Sequence, residues 1–246
     1  MRALAGRSWT RIGLWSAGIG YLLFLHIFVG VLLLKTNFLH LVGKTLGRIP
    51  PDEWSLPLCL NVLEQAEADA RVPRGAVVLL GDSIIAELDR TEIGRDVVNF
   101  GLGGDTTKTL YSRLAALHSV AQSGEVVVGV GVNDLKYRAV SQIARDYARV
   151  LDRLVAVPRV LVLSVLPIDD AGQAARELPY LRNRNIQALN GDLRTLCEQR
   201  TNCRFLDAWP AVSAATEDVY GGDGWHLSAA GRHVLADFLR NALMSR

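Results

Sequence analysis

AVVLLGDSIIAELDR, residues 76–90, decides the fold. Ala76 to Gly81 form a near-continuous apolar run, the mark of a strand covered on both faces in a parallel sheet. Gly81-Asp82-Ser83 ends that run, and the IIAELDR after it is compatible with a helix. The same strand character returns in VVNFG (97–101), EVVVGVGV (125–132), RVLVLSVLP (159–167) and CRFLDAW (203–209). Between the runs, TTKTLYSRLAALHSVA, SQIARDYARVLDRLVA, ELPYLRNRNIQALNGDLRTLCEQR and the terminal SAAGRHVLADFLRNAL repeat apolar residues at helical spacing. Alternation of strand and helix, without internal repeats or low-complexity tracts, predicts an α/β three-layer sandwich on a five-stranded parallel sheet. In such sheets reactive groups gather at the carboxyl ends of the strands, so the loops after each strand are where chemistry is expected.

The 246 residues suffice for one sizeable core and leave little room for a second enzyme-sized domain. Half of them are hydrophobic and the mean hydropathy is +0.18, more apolar than a disordered chain and slightly more than an ordinary soluble domain. The excess lies in GLWSAGIGYLLFLHIFVGVLLL, residues 13–34, which carry no formal charge. As a helix this segment would measure about 33 Å, enough to cross a hydrocarbon core of about 30 Å. A cleavable signal peptide is the alternative. The run exceeds the usual apolar region of one, however, and the following KTNFLHLVGK offers no small-residue cleavage site. An uncleaved N-terminal transmembrane anchor is therefore predicted, with His26 tolerated in mid-span rather than serving as a proton relay.

The formal net charge of +2 conceals an asymmetry. Arg2, Arg7, Arg11, Lys35, Lys44 and Arg48 stand in residues 1–48 with no acidic residue among them, and the remainder is net negative. Arg2, Arg7 and Arg11 cluster in the short tail 1–12 and predict a cytoplasmic N-terminus, with the bulk of the chain periplasmic or extracellular. Beyond residue 48 there is no basic stripe and no aromatic–basic interleaving, which speaks against nucleic acid as a partner. Residues 35–74 hold Pro50, Pro51, Pro57 and Pro73 and read as a connector with a short helix at Leu58 to Ala70. Trp54 and Leu56 within it are read as packing against the next domain, which is expected at 75–246.

Candidate chemistry sits at the strand ends. Ser83 at a strand-to-helix turn presents its backbone N–H where a developing oxyanion is favoured, which suits a nucleophile. On the tripeptide alone a helix-capping serine is the better reading. The turn is also not the G-x-S-x-G elbow, because Ile85 occupies the second glycine position. After the second strand, Asn99-Phe100-Gly101-Leu102-Gly103-Gly104-Asp105-Thr106-Thr107 lets backbone approach a bound group closely. Its spacing fits neither phosphate-binding fingerprint, and glycines merely making a tight turn remain the alternative. Asn133, in Gly131-Val132-Asn133-Asp134, is a side-chain donor at the same edge or a plain turn residue. Near the C-terminus Asp223 precedes His226 by three residues, close enough to hold one ring nitrogen and leave the other as a base. His118 and His233 lie inside predicted helices without such a carboxylate, and His26 and His40 belong to the membrane region. A single histidine without further His or Cys neighbours gives zinc too few ligands, so no metal is expected.

Taken in this order, the set GDS…NFGLGGDTT…GVND…DGWH resembles the four signature blocks of the SGNH hydrolases, the GDSL esterases and lipases. Its second block is similar to the platelet-activating-factor acetylhydrolase catalytic subunits of that group. The resemblance covers about residues 75–246 and departs in one letter, Ile84 where the family name has leucine. It implies a flavodoxin-like fold, Ser83 as nucleophile, His226 as general base and Asp223 as its orienting partner. It also implies an oxyanion hole made by the N–H groups of Ser83 and Gly104 and the amide of Asn133, with Asp134 outside that position. No cofactor or metal is implied. The expected activity is hydrolysis of a carboxylic ester, whether lysophospholipid, short acyl ester or acetylated glycan, through an acyl-enzyme. Two alternatives keep the same residues: an acyltransferase moving an acetyl group onto a glycan, and a non-catalytic membrane-tethered binding module. The presence of every group the reaction requires argues against the second.

Cys59, Cys197 and Cys203 are too few for a disulfide framework. Cys197 ends a predicted helix and Cys203 opens the next strand, a return that brings them within bonding range or leaves two buried thiols. Either way Cys59 is left unpaired.

Overall fold

Unbroken runs of valine and leucine build the centre of the sheet. In the computed structural model, which describes residues 20–31, 56–94, 96–170, 178, 180–215 and 218–245, five strands run parallel. They are β1 (Val77–Gly81), β2 (Val97–Gly101), β3 (Glu125–Gly129), β4 (Val160–Leu163) and β5 (Cys203–Leu206), in the order β2-β1-β3-β4-β5. Val78 to Leu80 and Val126 to Val128 are fully buried at successive positions, so both faces of the central strands are covered. The edge strand β5 is different: Arg204 is exposed, and Cys203 and Phe205 are half-buried.

The helices that cover the sheet are α1 (Leu56–Asp69), α2 (Ser83–Ala86), α3 (Arg90–Ile93), α4 (Thr107–Arg113), α5 (Val140–Arg153), α6 (Asn183–Glu198), α7 (Trp209–Ser213) and α8 (Ala229–Met244). α5 buries Ile143, Tyr147, Val150 and Leu151 at the i, i+4, i+7, i+8 spacing of an apolar stripe. α4, α5 and α6 pack in series, while α8 packs against α3 and α7.

Four expected strands are longer than those observed, the first by Ala76 alone and the other three by several residues, each of these for a local reason. β3 stops at Gly129 because Gly131 turns the chain with φ +135°, a backbone region glycine tolerates best. β4 stops at Leu163 because the backbone of Val165 pairs with a side chain instead of a strand: its N–H donates to Asn190 Oδ1 at 2.8 Å and its carbonyl accepts from Asn190 Nδ2 at 2.9 Å. After β5, Asp207 accepts the N–H of Trp209 at 3.2 Å and starts α7, with proline in its first turn. The helix expected over residues 106–121 is likewise broken into α4 and two 3₁₀ segments, Leu114–Ala116 and His118–Gln122. The Asp69 carboxylate, at the end of α1, accepts the Ser119 N–H at 3.1 Å and its hydroxyl, pinning the chain there.

The chain divides into two compact units, Met1–Cys59 and Leu60–Arg246. The second begins ahead of the boundary expected at residue 75, because α1 is bonded into the sheet domain through Gln65 and Asp69. In the first unit, residues 20–31 are helical, and His26 Nδ1 lies 2.6 Å from the carbonyl of Leu22, which keeps the polar ring satisfied within its own helix. That stretch covers about 18 Å, and among the described residues no helix is long and apolar enough to cross a membrane. The rest of the expected span 13–34, the tail 1–12, Trp54, His40 and the side chains of Leu56 and Cys59 lie outside the described residues. Cys197 and Cys203 are joined by a disulfide across a Cα separation of 4.8 Å.

Asp82 caps α2, its Oδ1 accepting the N–H of Ile84 at 3.0 Å. Burial pushes its carboxyl up to about 7, reinforced by Asp105 and Asp134 and opposed by the Ile84 hydrogen bond and by Lys136. A carboxyl raised in the folded state is neutral there when the unfolded chain, near 3.9, has already ionised, so stability falls as pH rises between those values by about 1.4 kcal/mol per unit. Asp82→Asn keeps a capping oxygen and cannot ionise. Its thermal midpoint is expected to match wild type near pH 4 and to exceed it by several degrees at pH 8; a difference that does not change with pH would refute the titration.

Candidate active site

Parallel register brings the loops together. Gly81 is paired with Gly101 on one side and Gly129 on the other, so β1, β2 and β3 end at one level. The sheet order reverses between β1 and β3, and the crevice outside such a switch point is where α/β sheets bind ligands. Glycine is required at these ends by close approach: a Cβ on Gly81 would strike the carbonyl of Gly129 and the side chain of Ile85, and one on Gly101 would strike the backbone of Ala86. α2 therefore sits directly on the strand ends.

Ser83 is the first residue of α2, since the capping position belongs to Asp82. The capping role that the tripeptide alone suggested for Ser83 is thus taken by its neighbour, and the hydroxyl is left for another partner. That partner is His226, with Ser83 Oγ and Nε2 3.1 Å apart. Behind the ring, Nδ1 is hydrogen-bonded to Asp223 Oδ2. The other carboxylate oxygen accepts the backbone N–H groups of Trp225 at 3.1 Å and His226 at 3.0 Å. Burial alone would raise the Asp223 carboxyl, but these hydrogen bonds outweigh it and hold the carboxyl below its ordinary value. It remains an anion, fit to accept a hydrogen bond from Nδ1–H, which leaves Nε2 with its lone pair facing Ser83.

Gly104 lies in the loop after β2 with φ +81°, exposed and bearing no side chain to cover its N–H. Asn133, buried after β3, donates from Nδ2 to the carbonyl of Asp105 at 3.0 Å, so the two loops are tied one residue beyond Gly104. Asn99 also braces the turn that bears Ser83: its Nδ2 donates to the carbonyls of Ile85 at 2.7 Å and Leu88 at 3.1 Å, and its Oδ1 accepts the Gly101 N–H at 2.8 Å.

Asp134 is not a bystander. It is buried, accepts the N–H and hydroxyl of Thr107 at 2.9 and 2.7 Å, and pairs with Arg138. Burial pushes its carboxyl up to about 6, against the hydrogen bonds of Thr107 and the charge of Arg138. His233 has carboxylate partners after all, Glu92 of α3 at 3.1 Å and Asp237 of α8 at 3.8 Å, in an exposed cluster between the two helices. Among the described residues no group of three or more His, Cys, Asp or Glu is placed to hold a metal ion.

The motif reading missed one buried constellation. Arg113 and Asp105 form an ion pair with Nη2 2.8 Å from Oδ2, both side chains almost wholly excluded from solvent. Gln65 of α1 and Thr109 of α4 complete it. The signal was present in the sequence, because Arg113 falls on the stripe of Leu110, Leu114 and Leu117, where a helix face otherwise reads as core.

Comparison with known proteins agrees with this architecture. Many solved structures share the fold, and three illustrate it. A Streptococcus pneumoniae protein whose description names platelet activating factor superposes with a TM-score of 0.68 at 20% identity, covering 76% of this chain and 92% of its own. A lipase/acylhydrolase from Enterococcus faecalis gives 0.58 at 22% identity, covering 68% and 95%. A GDSL-like lipase from Bacteroides thetaiotaomicron gives 0.62 at 19% identity, covering 75% and 97%. A search of curated proteins returns no match. The family model that matches residues 70–234 spans the strand ends, both glycine loops and the Asp223–His226 turn, and the chain belongs to the GDSL-like lipase/acylhydrolase family of ester hydrolases.

Proposed function

We propose that this protein is a membrane-anchored serine esterase in which Ser83 attacks the ester carbonyl, His226 is the general base and Asp223 orients it. The observation that carries this reading is the approach of Ser83 Oγ to His226 Nε2 at 3.1 Å with the Asp223 carboxylate bonded to the opposite ring nitrogen. His226 takes the hydroxyl proton as Oγ bonds to the carbonyl carbon, and the resulting oxyanion is met by the N–H groups of Ser83 and Gly104 and by the Asn133 amide. The imidazolium returns its proton to the departing alkoxide, leaving an acyl-Ser83 ester. A water molecule, deprotonated by His226, then attacks the acyl carbon, and as the C–Oγ bond breaks the imidazolium returns that proton to Ser83, releasing the acid. As the first residue of its helix, Ser83 has a backbone N–H with no intrahelical acceptor, which suits it to this role. The substrate is a carboxylic ester: a lysophospholipid, a short acyl ester or an acetylated glycan.

Anchoring rests on the uncharged stretch 13–34 and on exposed apolar side chains along its helical part, Leu22, Phe24, Ile27, Phe28 and Val31 among them. The Cys197–Cys203 disulfide suits an oxidising compartment, which accords with a translocated domain.

Ser83→Ala should abolish hydrolysis of p-nitrophenyl esters with little change in thermal stability, since the hydroxyl lies in a partly exposed turn. A phosphonate probe is expected to label wild type at Ser83 and to leave the variant unlabelled; equal labelling would assign the nucleophile elsewhere. His226→Ala should be inactive too.

Asn133→Ala is expected to lower kcat by about 10²- to 10³-fold, as loss of one oxyanion donor does. Asp134→Ala should instead lower the melting temperature, by stripping the buried Thr107 N–H and hydroxyl of their acceptor and Arg138 of one of its two carboxylate partners. Steady-state kinetics and thermal melts on both variants separate the two effects, and a reversed pattern would exchange the residues' roles.

Orientation is read by C-terminal fusions in a Gram-negative host. An active alkaline phosphatase fusion with a dark cytoplasm-restricted fluorescent fusion is expected; the opposite pair would put the domain on the cytoplasmic face.

A further inference from the structure

We propose that Arg113 and Gln65 are positioning residues for the oxyanion side of the site. Arg113 ties the strand end leading to Ser83 to the loop bearing Gly104, and Gln65 fixes that tie from α1. This rests on the serine-esterase reading above.

The guanidinium is a single rigid fork whose N–H groups reach three chain segments. Nε and Nη2 lie 2.9 and 2.8 Å from Asp105 Oδ2, immediately after Gly104. Nη2 also donates to the carbonyl of Gly81 at 3.4 Å, two residues before Ser83. Nη1 donates to Gln65 Oε1 at 3.0 Å, and Gln65 Nε2 in turn donates to the carbonyl of Gly101 at 3.0 Å. The carboxyl ends of β1 and β2 and the glycine loop are thus referred to one planar group. Asp105 is held further by the Thr109 hydroxyl at 2.5 Å, and its carbonyl by Asn133.

Two considerations give this a positioning role. Gly103 and Gly104 are exposed, and a Cβ built on either would meet nothing within 4 Å, so the position of the Gly104 N–H is set by what holds the turn's two ends, Leu102 and Asp105, whose own bond at 3.0 Å closes it. Oxyanion stabilisation depends on donors already in place before charge develops, and the anchor at Asp105 supplies that constraint. Moreover, a buried ion pair rarely stabilises a fold more than apolar residues of similar volume would. Leucine at position 113 would continue the stripe formed by Leu110, Leu114 and Leu117, so stability alone does not call for a charge there.

The test compares wild type with Gln65→Met and Arg113→Lys in the full-length protein. Lysine retains a charge against Asp105 and loses the fork, while methionine fills the half-buried Gln65 site without hydrogen bonds. Measured are kcat and KM on a p-nitrophenyl ester, inhibition by an arylboronic acid that forms a tetrahedral anion on the nucleophile, and folding by circular dichroism. Both variants should fold, with kcat lowered by about tenfold in Gln65→Met and by about 10²-fold in Arg113→Lys, of the order of a misplaced donor. KM should stay within about twofold, and boronate inhibition should weaken by the same factor as kcat. The inference is overturned if folded Gln65→Met keeps wild-type kcat, if boronate affinity is unchanged while kcat falls, or if Gln65→Met does not fold, which would make the contact structural. Wild type that hydrolyses no ester and takes no phosphonate on Ser83 would sink the underlying reading instead.

Discussion

The pairing of Gly81 with both Gly101 and Gly129 is the constraint on which the site depends. Parallel strands in register end at a common level, and without side chains at those ends α2 can rest on them. A one-residue slip of β2 would carry its apolar residues to the opposite face and displace the glycine loop from the turn that holds Ser83. The buried faces of β1 and β3 forbid that slip, so the hydrophobic core sets the alignment of groups that themselves carry almost no hydrophobic energy.

On this platform the polar groups divide into those that hold and those that are held. Asp82, Asn99, Asp105, Arg113 and Asp134 accept or donate to backbone and to one another, and each is buried or half-buried. A buried polar group left unpaired is costly, so every such partner acts as a positional restraint as well as a stabilising contact. Ser83, Gly104 and His226 lie toward solvent, where an ester can reach them.

Strands and helices were legible because burial on both faces leaves an unbroken apolar run and burial on one face leaves a stripe. Strand limits were less legible: β4 ends where Asn190 captures the backbone of Val165, a contact between residues distant in sequence that no local pattern announces. The strand-end motifs Ser83, Gly104, Asn133 and the Asp223–His226 pair were visible as residue types at the right edge of a parallel sheet. The supporting residues were not. Gln65 sits in a segment read as connector, and Asp134 was visible only as the neighbour of Asn133. Such residues act through three-dimensional partners, and their only local trace is a charge on an apolar stripe, as at Arg113.

The two sides of the site are built with different rigidity. Ser83, Gly104 and Asn133 stand at the sheet edge, whereas His226 is presented by a loop closed by the Tyr220–Leu227 bridge. That loop is held by its own turns and by bonds to neighbouring loops, among them the Gly221 N–H to the His226 carbonyl at 2.8 Å, the Ser228 N–H to the Val219 carbonyl at 3.0 Å, the Asp169 N–H to the Gly224 carbonyl at 2.8 Å, and the Tyr220 hydroxyl to the Pro167 carbonyl at 2.7 Å. Burial pushes the Tyr220 phenol up to about 12, so it remains a donor across the neutral range and keeps the loop docked. Lying outside the strand ladders that fix the ends of β1, β2 and β3, this loop opens at lower cost than the sheet edge does. The division suits the proposed reaction: oxyanion donors act only if they are immobile as charge appears, whereas the base has to serve the serine, the leaving oxygen and a water in turn, which tolerates small displacements of the ring.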